Sequence, residues 1–92
     1  MQIEFDPKKR AANLRKHGID LADAQEVFEG VEVVAIDDRH EEERYLTIGV
    51  LHAREVVIAW TPRDRGDTEV RRVISMRFAN ASEIKWYWEE VE

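Results

Sequence analysis

Four segments rich in β-branched and aromatic residues, which are typical of β-strands, fill the central part of the chain. They span residues 31–37, 44–52, 54–61 and 69–78, and only short connections separate them. Neighbouring strands joined by short connections run antiparallel, because a parallel pair needs a long crossover. The sequence therefore predicts an antiparallel meander of four strands. Residues 2–5 (QIEF) are typical of a further short strand.

Two helices are predicted ahead of these strands. Asp6 suits an N-cap, the proline after it suits the first helical position, and Gly18 suits the left-handed residue that ends a helix. The first helix is therefore predicted over Pro7–His17. Asp20 offers another N-cap, and the apolar residues that follow share one helical face up to Gly30. This pattern predicts the second helix.

A third helix is predicted at the C-terminal end of the chain. Asn80 followed by Glu83 forms a capping-box pattern, and apolar residues then recur at helical spacing. Helices that pack together on one face of an antiparallel sheet give an α+β sandwich whose other face stays partly open. The expected fold is a single α+β domain over residues 1–92, with two N-terminal helices, a four-stranded antiparallel sheet and a C-terminal helix.

The composition excludes several kinds of protein. The 92 residues carry a formal net charge of -6, and 43% of them are hydrophobic, which is typical of a globular domain and not of a disordered chain. Because there is no cysteine, disulfides, thiolate nucleophiles and sulfur-ligated zinc are excluded. The chain shows neither a secretory signal nor an apolar run of membrane-spanning length. We therefore expect a cytoplasmic protein with no membrane partner and no cofactor.

The charges are unevenly distributed along this acidic chain. Residues 1–19 carry five basic against two acidic side chains, and residues 61–79 carry five against three. Residues 20–60 carry eleven acidic side chains against three arginines, and residues 80–92 carry four against one lysine. Such a chain can present an anion-binding face and an acidic face at once. The first is suited to RNA phosphates and the second to a basic protein partner.

Several of these cations are candidates for binding phosphate groups. Alternation along a regular strand predicts that Arg71 and Arg77 point to the open face of the sheet. Arg63 and Arg65 lie in a segment with turn-forming proline and glycine, which predicts a charged hairpin loop at the end of the sheet. Guanidinium groups in either place match phosphate oxygens with paired donors, although solvated strand and loop arginines explain the same pattern.

Histidines and tryptophans are further candidates. Lys16 and His17 end the first predicted helix, where cations interact favourably with the helix dipole. The imidazole of His17 can also carry a proton. His40 lies in an acidic loop without a second histidine at metal-binding spacing, so a solvated loop is favoured over a metal site. Trp88 is expected in the core, whereas Trp86 falls off the apolar helix face and is either a partner contact or half exposed.

The chain also carries short motifs in a fixed order. They are Phe5-Asp6-Pro7-Lys8, Asn13-Leu14-Arg15-Lys16-His17-Gly18-Ile19, Ala24 with Val27-Phe28, Asp37-Asp38-Arg39-His40, Glu43-Arg44-Tyr45 through Thr47-Ile48-Gly49, Arg72-Val73-Ile74-Ser75-Met76-Arg77, and Ala79, Glu83 and Tyr87. In this order and spacing they resemble the BrnT family of bacterial type II toxins. The resemblance implies a ribonuclease with a RelE-like fold that is neutralised by a BrnA-like antitoxin. It also implies that the toxin–antitoxin complex represses its own operon, with the ribbon-helix-helix of the antitoxin contacting operator DNA.

From this resemblance and the residue types we expect a metal-independent endoribonuclease. The 2′-OH of the RNA would attack the adjacent phosphate, which requires positioning, proton transfer and stabilisation of added negative charge. The expected catalytic residues are Arg77, His17, His40, Glu43 and Tyr87. The residues expected to bind RNA are Lys16, Arg44, Arg63, Arg65, Arg71 and Arg72. The alternative is a non-catalytic protein-interaction or corepressor module, which the acidic net charge favours.

The strand that carries most of these arginines poses a geometric question. Arg72 and Arg77 are five residues apart, so they point to opposite faces of a regular strand. A β-bulge between them would bring both guanidinium groups to one face. Without a bulge, Arg72 either has a structural role or reaches around the edge of the sheet. Arg77 is the first candidate for stabilising the transition-state charge, with Arg63 and Arg72 holding phosphate.

Overall fold

The computed structural model describes residues 1–92, and its centre is a five-stranded sheet in the order β1-β5-β4-β3-β2. The elements in chain order are β1 (Gln2–Glu4), α1 (Pro7–His17), a 3₁₀ turn (Leu21–Asp23), α2 (Ala24–Glu29), β2 (Val33–Ile36), β3 (Tyr45–Leu51), β4 (Arg54–Arg65), β5 (Thr68–Phe78) and α3 (Ala81–Val91). The antiparallel meander predicted for β2–β5 is confirmed. The four-stranded sheet was incomplete, since β1 pairs parallel with β5 and makes the sheet mixed.

Local capping explains where the first helices begin and end. The Asp6 carboxylate accepts a 2.8 Å hydrogen bond from the Lys8 N–H, and Gly18 ends α1 at φ 72°. The first predicted helix is thus confirmed. The second predicted helix is only partly confirmed, because the chain makes a 3₁₀ turn after the Asp20 cap and α2 has just six residues. None of the helices combines the length and apolar character needed to cross a membrane.

Helices cover both faces of the sheet. On the first face, α1, the 3₁₀ turn and α2 pack against a core that includes Leu21, Ile58 and Met76. On the second face, α3 contacts β2 and β3, and its Tyr87 packs with Val57. The prediction that all helices share one face was therefore wrong. Consecutive residues of β4 are buried on opposite faces, so the sheet offers an apolar surface to α3 as well.

The hairpin between β4 and β5 is longer and tighter than expected. β4 continues to Arg65 and β5 begins at Thr68, which leaves a two-residue turn whose Gly66 has φ 73°. The prediction that Arg63 and Arg65 lie in a charged hairpin loop was wrong, because only this two-residue turn lies outside the strands. Arg63 and Arg65 instead stand on a strand and point to the same face, because they are two residues apart.

A β-bulge in β5 decides which arginines share a face. Ala59 pairs with Ser75 and the next residue, Trp60, pairs with Val73, so Ile74 is the extra residue in β5. The bulge reverses the alternation between Arg72 and Arg77, and both lie on the second face. The regular alternation that grouped Arg71 with Arg77 was wrong, and the bulged alternative is confirmed.

Candidate active site

A row of polar side chains crosses the second face of the sheet beside the part that α3 covers. Glu4 pairs with Arg72, and Arg72 pairs with Thr61 of β4. The Thr61 hydroxyl donates a 2.6 Å hydrogen bond to the backbone oxygen of Glu43. The backbone oxygen of the next residue, Arg44, accepts one of 2.9 Å from the Asp37 N–H. This row, Glu4, Arg72, Thr61, Arg44 and Asp37, joins side chains that are far apart in sequence on one surface.

Three guanidinium groups converge at one end of this row. Oxygen Oε1 of Glu4 lies 3.1 Å from Nη2 of Arg65, 3.3 Å from Nη1 of Arg72 and 3.9 Å from Nε of Arg63. One carboxylate therefore faces three cations, which leaves two positive charges uncompensated within the cluster. These four residues are called the Glu4 cluster below. Because guanidinium groups bind oxyanions through paired donors, the cluster is suited to holding phosphate.

Arg77 is held more tightly than the cluster arginines. Its Nη1 and Nη2 each lie 2.8 Å from an oxygen of Glu83, in the first turn of α3. The Glu83 carboxylate also accepts from the Asn80 N–H at 2.9 Å, which confirms the predicted capping box. The bond from Arg77 holds the pKa of Glu83 below its ordinary value, and the same bond raises the pKa of Arg77. The guanidinium is thus fixed and neutralised in the free protein.

This pair predicts a pH-dependent contribution to stability. The pKa of an unfolded glutamate is about 4.3 and that of folded Glu83 is lower, so the contribution is present above about pH 5 and is lost as the pH falls through the folded value. Glu83→Gln keeps an acceptor for the cap but loses the charge. We expect it to lower the free energy of unfolding by about 1 kcal/mol at pH 7, since Arg77 is partly solvated, and by much less near pH 3.

Urea unfolding of both proteins across this pH range measures the effect. Glu89→Gln is the control, because Glu89 lies on the same helix and its nearest contact with Lys85 is an exposed one at 3.9 Å. A stability difference between wild type and Glu83→Gln that stays constant from pH 7 to pH 3 would show that the charge of Glu83 contributes nothing.

The loop between β2 and β3 brings His40 to the same face. Asp37 is buried and accepts hydrogen bonds of 2.8 and 2.9 Å from Arg39, which lower the pKa of its carboxyl group well below the ordinary value. His40 Nε2 lies 3.6 Å from Asp37 and 3.1 Å from Nη1 of Arg44. Arg44 also pairs with Glu42. The imidazole therefore stands beside the polar row, within reach of its cations.

Two other sequence candidates lie on the opposite side of the sheet. Lys16 and His17 are in the last turn of α1, which packs on the first face through the buried Asn13. They are separated by the sheet from Arg77 and the Glu4 cluster. The structure therefore does not bring Lys16 and His17 together with the arginines of the second face.

Two further candidates have their side-chain oxygens engaged elsewhere. Tyr87 is 3% exposed, its hydroxyl donates a 2.8 Å hydrogen bond to the Val31 oxygen, and burial raises its pKa. The Glu43 carboxylate accepts a 2.5 Å hydrogen bond from the hydroxyl of Tyr45, whose ring packs against the core of the first face. Neither Tyr87 nor Glu43 points toward the polar row.

Arg71 belongs to the first face. Its guanidinium carbon lies 4.0 Å from the ring centre of Trp60 and 4.7 Å from that of Phe28, and Nη1 lies 2.9 Å from Glu32. Its side chain is only 12% exposed. The prediction that Arg71 stands on the open surface was wrong, because the bulge places it among aromatic rings.

The tryptophans of α3 are more exposed than core residues. Trp88, predicted in the core, is 45% exposed, and its indole N–H donates a 2.8 Å hydrogen bond to Glu55. Trp86 is 38% exposed, which agrees with the half-exposed alternative. Tyr87 occupies the buried position between them.

The side chains of the second face can bind anions and carry a proton. Two of them were not identified as candidates from the sequence. Glu4 and Arg39 were not candidates, although the alternation of the QIEF segment places Glu4 on one face of an edge strand. Nothing in the sequence near Arg39 indicates that its side chain lies on the second face. No group of three or more histidine or carboxylate side chains is arranged to hold a metal ion.

Comparisons with known proteins identify the family of the chain. A search of curated proteins finds no match. A family model described as the ribonuclease toxin BrnT of type II toxin–antitoxin systems matches residues 5–83, which include the arginine-bearing strands and His40 but not Glu4. The match covers most of the chain and agrees with the resemblance of its ordered motifs. The chain therefore belongs to the BrnT family, the ribonuclease toxins of type II toxin–antitoxin systems.

Proposed function

We propose that this toxin is a metal-independent endoribonuclease that inhibits translation by cleaving RNA on the second face of its sheet. The 2′-OH attacks the adjacent phosphate and the P–O5′ bond breaks, which leaves a 2′,3′-cyclic phosphate and, once the departing oxygen has taken a proton from water, a free 5′-OH. The observation that carries the proposal is the convergence of arginines from three separate segments on one face, beside a histidine. Their charges can stabilise the phosphorane-like transition state without an added ion.

Arg72 is the first choice for stabilising this charge. It lies in the polar row between Glu4 and Thr61, and only its Nη1 is engaged, in a 3.3 Å bond to Glu4. Its remaining donors are available to a phosphate. Arg77, the leading sequence candidate, has both terminal nitrogens occupied by Glu83 and is proposed as a secondary contributor. Arg63 and Arg65 hold neighbouring phosphates, and Arg44 is a further contact for RNA.

His40 is the proposed proton acceptor. Its Nε2 faces an N–H of Arg44 at 3.1 Å, so in the neutral imidazole this nitrogen carries the lone pair. A proton can be taken there from the 2′-OH when the substrate replaces the contact with Arg44. His17, Glu43 and Tyr87 are less suitable, because they lie across the sheet or have their polar atoms engaged.

A BrnA-like antitoxin is the proposed partner, and operator DNA is bound only through its ribbon-helix-helix. Residues 20–60 carry a net charge of -8, eleven acidic side chains against three arginines, which favours a basic protein partner. Family membership implies an antitoxin, and this charge supports a basic one.

Cleavage of a defined single-stranded RNA in excess EDTA tests the mechanism. We expect wild-type protein to cleave it as fast with EDTA as without, because the charge stabilisation comes from guanidinium groups. We also expect 2′,3′-cyclic phosphate ends, identified by mass spectrometry. A matched oligonucleotide with 2′-O-methyl groups is the control, since it lacks the nucleophile and should stay intact.

Two outcomes would contradict parts of this proposal. Loss of cleavage in EDTA would contradict the metal-independent mechanism. Intact RNA at high protein concentration, together with normal antitoxin binding, would favour the non-catalytic module instead. The role of His40 is checked in the same assay: His40→Gln should cleave the RNA much more slowly than wild type, because it has no group that accepts the proton of the 2′-OH.

A further inference from the structure

The Glu4 cluster differs from the other ion pairs of the second face in its geometry. Arg77 with Glu83, and Arg39 with Asp37, are bidentate pairs with N–O distances of 2.8–2.9 Å. The three contacts to Glu4 Oε1 are longer, from 3.1 to 3.9 Å. Oε2 of Glu4 also lies 3.3 Å from Nη2 of Arg65. The region of the face with surplus positive charge is therefore also the one whose carboxylate makes the longer contacts with its arginines.

The cluster is open to solvent and to a competing anion. The side chains of Arg63, Arg65 and Arg72 are 36%, 53% and 34% exposed. Glu4 ends the three-residue strand β1, which lies at the edge of the sheet and pairs only with β5. A carboxylate on so short an edge strand can move aside with little loss of packing.

We propose that Glu4 occupies a phosphate subsite in the free protein, and that a backbone phosphate of RNA replaces its carboxylate when substrate binds. A carboxylate and a phosphate present the same kind of oxygen acceptor to guanidinium donors. Glu4 therefore weakens RNA binding by competing for the three arginines. This inference rests on the proposed function in taking RNA as the ligand.

The test is binding of a fluorescent 2′-O-methyl RNA, which cannot be cleaved, to wild type and to Glu4→Gln. Glutamine has the size of glutamate but no charge. We expect the variant to bind roughly two- to fivefold more tightly at low salt, with the difference shrinking at high salt. Glu29→Gln is the control, because it makes the same change in net charge at the exposed end of α2 on the first face.

The outcomes separate three interpretations. Equal tightening in Glu29→Gln would assign the effect to net charge and overturn the proposal. Unchanged or weaker binding by Glu4→Gln would show that Glu4 holds the arginines in place, and this result would also overturn the proposal. The proposal would equally be overturned if neither wild type nor Glu4→Gln bound the RNA. Thermal melting checks folding, and Glu4→Thr, with a strand-forming side chain too short to compete, repeats the comparison should Glu4→Gln fail to fold.

Two further arms complete the experiment. The double variant Glu4→Gln, Arg65→Gln has the wild-type net charge in the cluster, and we expect its affinity for RNA to return to about the wild-type value. If the double variant instead keeps the full increase in affinity of Glu4→Gln, Glu4 does not compete with RNA and the proposal is overturned. Titration with inorganic phosphate distinguishes free phosphate from RNA, and saturation of the cluster at oligonucleotide-like concentrations would overturn the RNA assignment. Because binding is measured without cleavage, a protein that binds RNA but does not cut it contradicts the proposed function and not this subsite.

Discussion

Arg72→Ala is expected to lower the rate of RNA cleavage by about 10²–10³-fold, the usual effect of removing one preorganised donor from a developing oxyanion. Arg72 lies in the polar row between Glu4 and Thr61, and most of its donors are unoccupied in the free protein. The loss of rate in Arg77→Ala should be at least tenfold smaller, because both terminal nitrogens of Arg77 are already hydrogen-bonded to Glu83. Single-turnover cleavage of one RNA by the two variants measures the difference.

Arg72→Lys is the matched control for charge. Lysine keeps the positive charge but lacks the planar fork of donors, so its rate should fall between those of wild type and Arg72→Ala. Thermal melting of all variants shows whether the fold is kept. A rate for Arg72→Ala within about threefold of wild type, or a larger loss in Arg77→Ala, would contradict the role proposed for Arg72 and return Arg77 to the leading place.

The local features of this fold could be read from the sequence because each depends on neighbouring residues. Asp6 and Gly18 limit α1, and Asn80 with Glu83 begins α3, as their patterns predict. Side-chain direction in β5 could not be read in the same way. The extra residue of the bulge is Ile74, a β-branched residue that nothing in the sequence distinguishes from its neighbours. One inserted residue therefore exchanged the faces of Arg71 and Arg72.

The candidate site was only partly predictable because its contacts are long-range. Arg63, Arg65 and Arg72 were expected to bind phosphate from their residue type, and all three lie in the Glu4 cluster. Their shared partner was missed, since Glu4 is 61 residues before Arg65 in the chain. His17 and Tyr87 were chosen for their chemistry, which carries no information on whether a side chain is buried or across the sheet.

Asn13→Ala is expected to lower the free energy of unfolding by about 3–5 kcal/mol, because it removes three hydrogen bonds and leaves buried backbone groups unpaired. The buried amide donates to the oxygens of Ile19 and Met76 at 3.0 and 2.9 Å and accepts from the Met76 N–H at 3.1 Å. β1 ends opposite Arg72, so the side chain of Asn13 takes the place of a strand along the edge of β5.

The Asn13 side chain fixes the part of β5 between the bulge and Arg77. We therefore expect its removal to disturb the side chains of the second face as well. Urea unfolding measures the change, and Leu14→Ala, at a half-exposed neighbour on the same helix, should alter stability much less. A loss below about 1 kcal/mol in Asn13→Ala would mean that water or a shifted strand satisfies Met76 equally well. If the loss is large, α1 on the first face holds in register the β5 segment that carries Arg77 on the second face, although His17 and Lys16 lie across the sheet from the proposed RNA-binding surface.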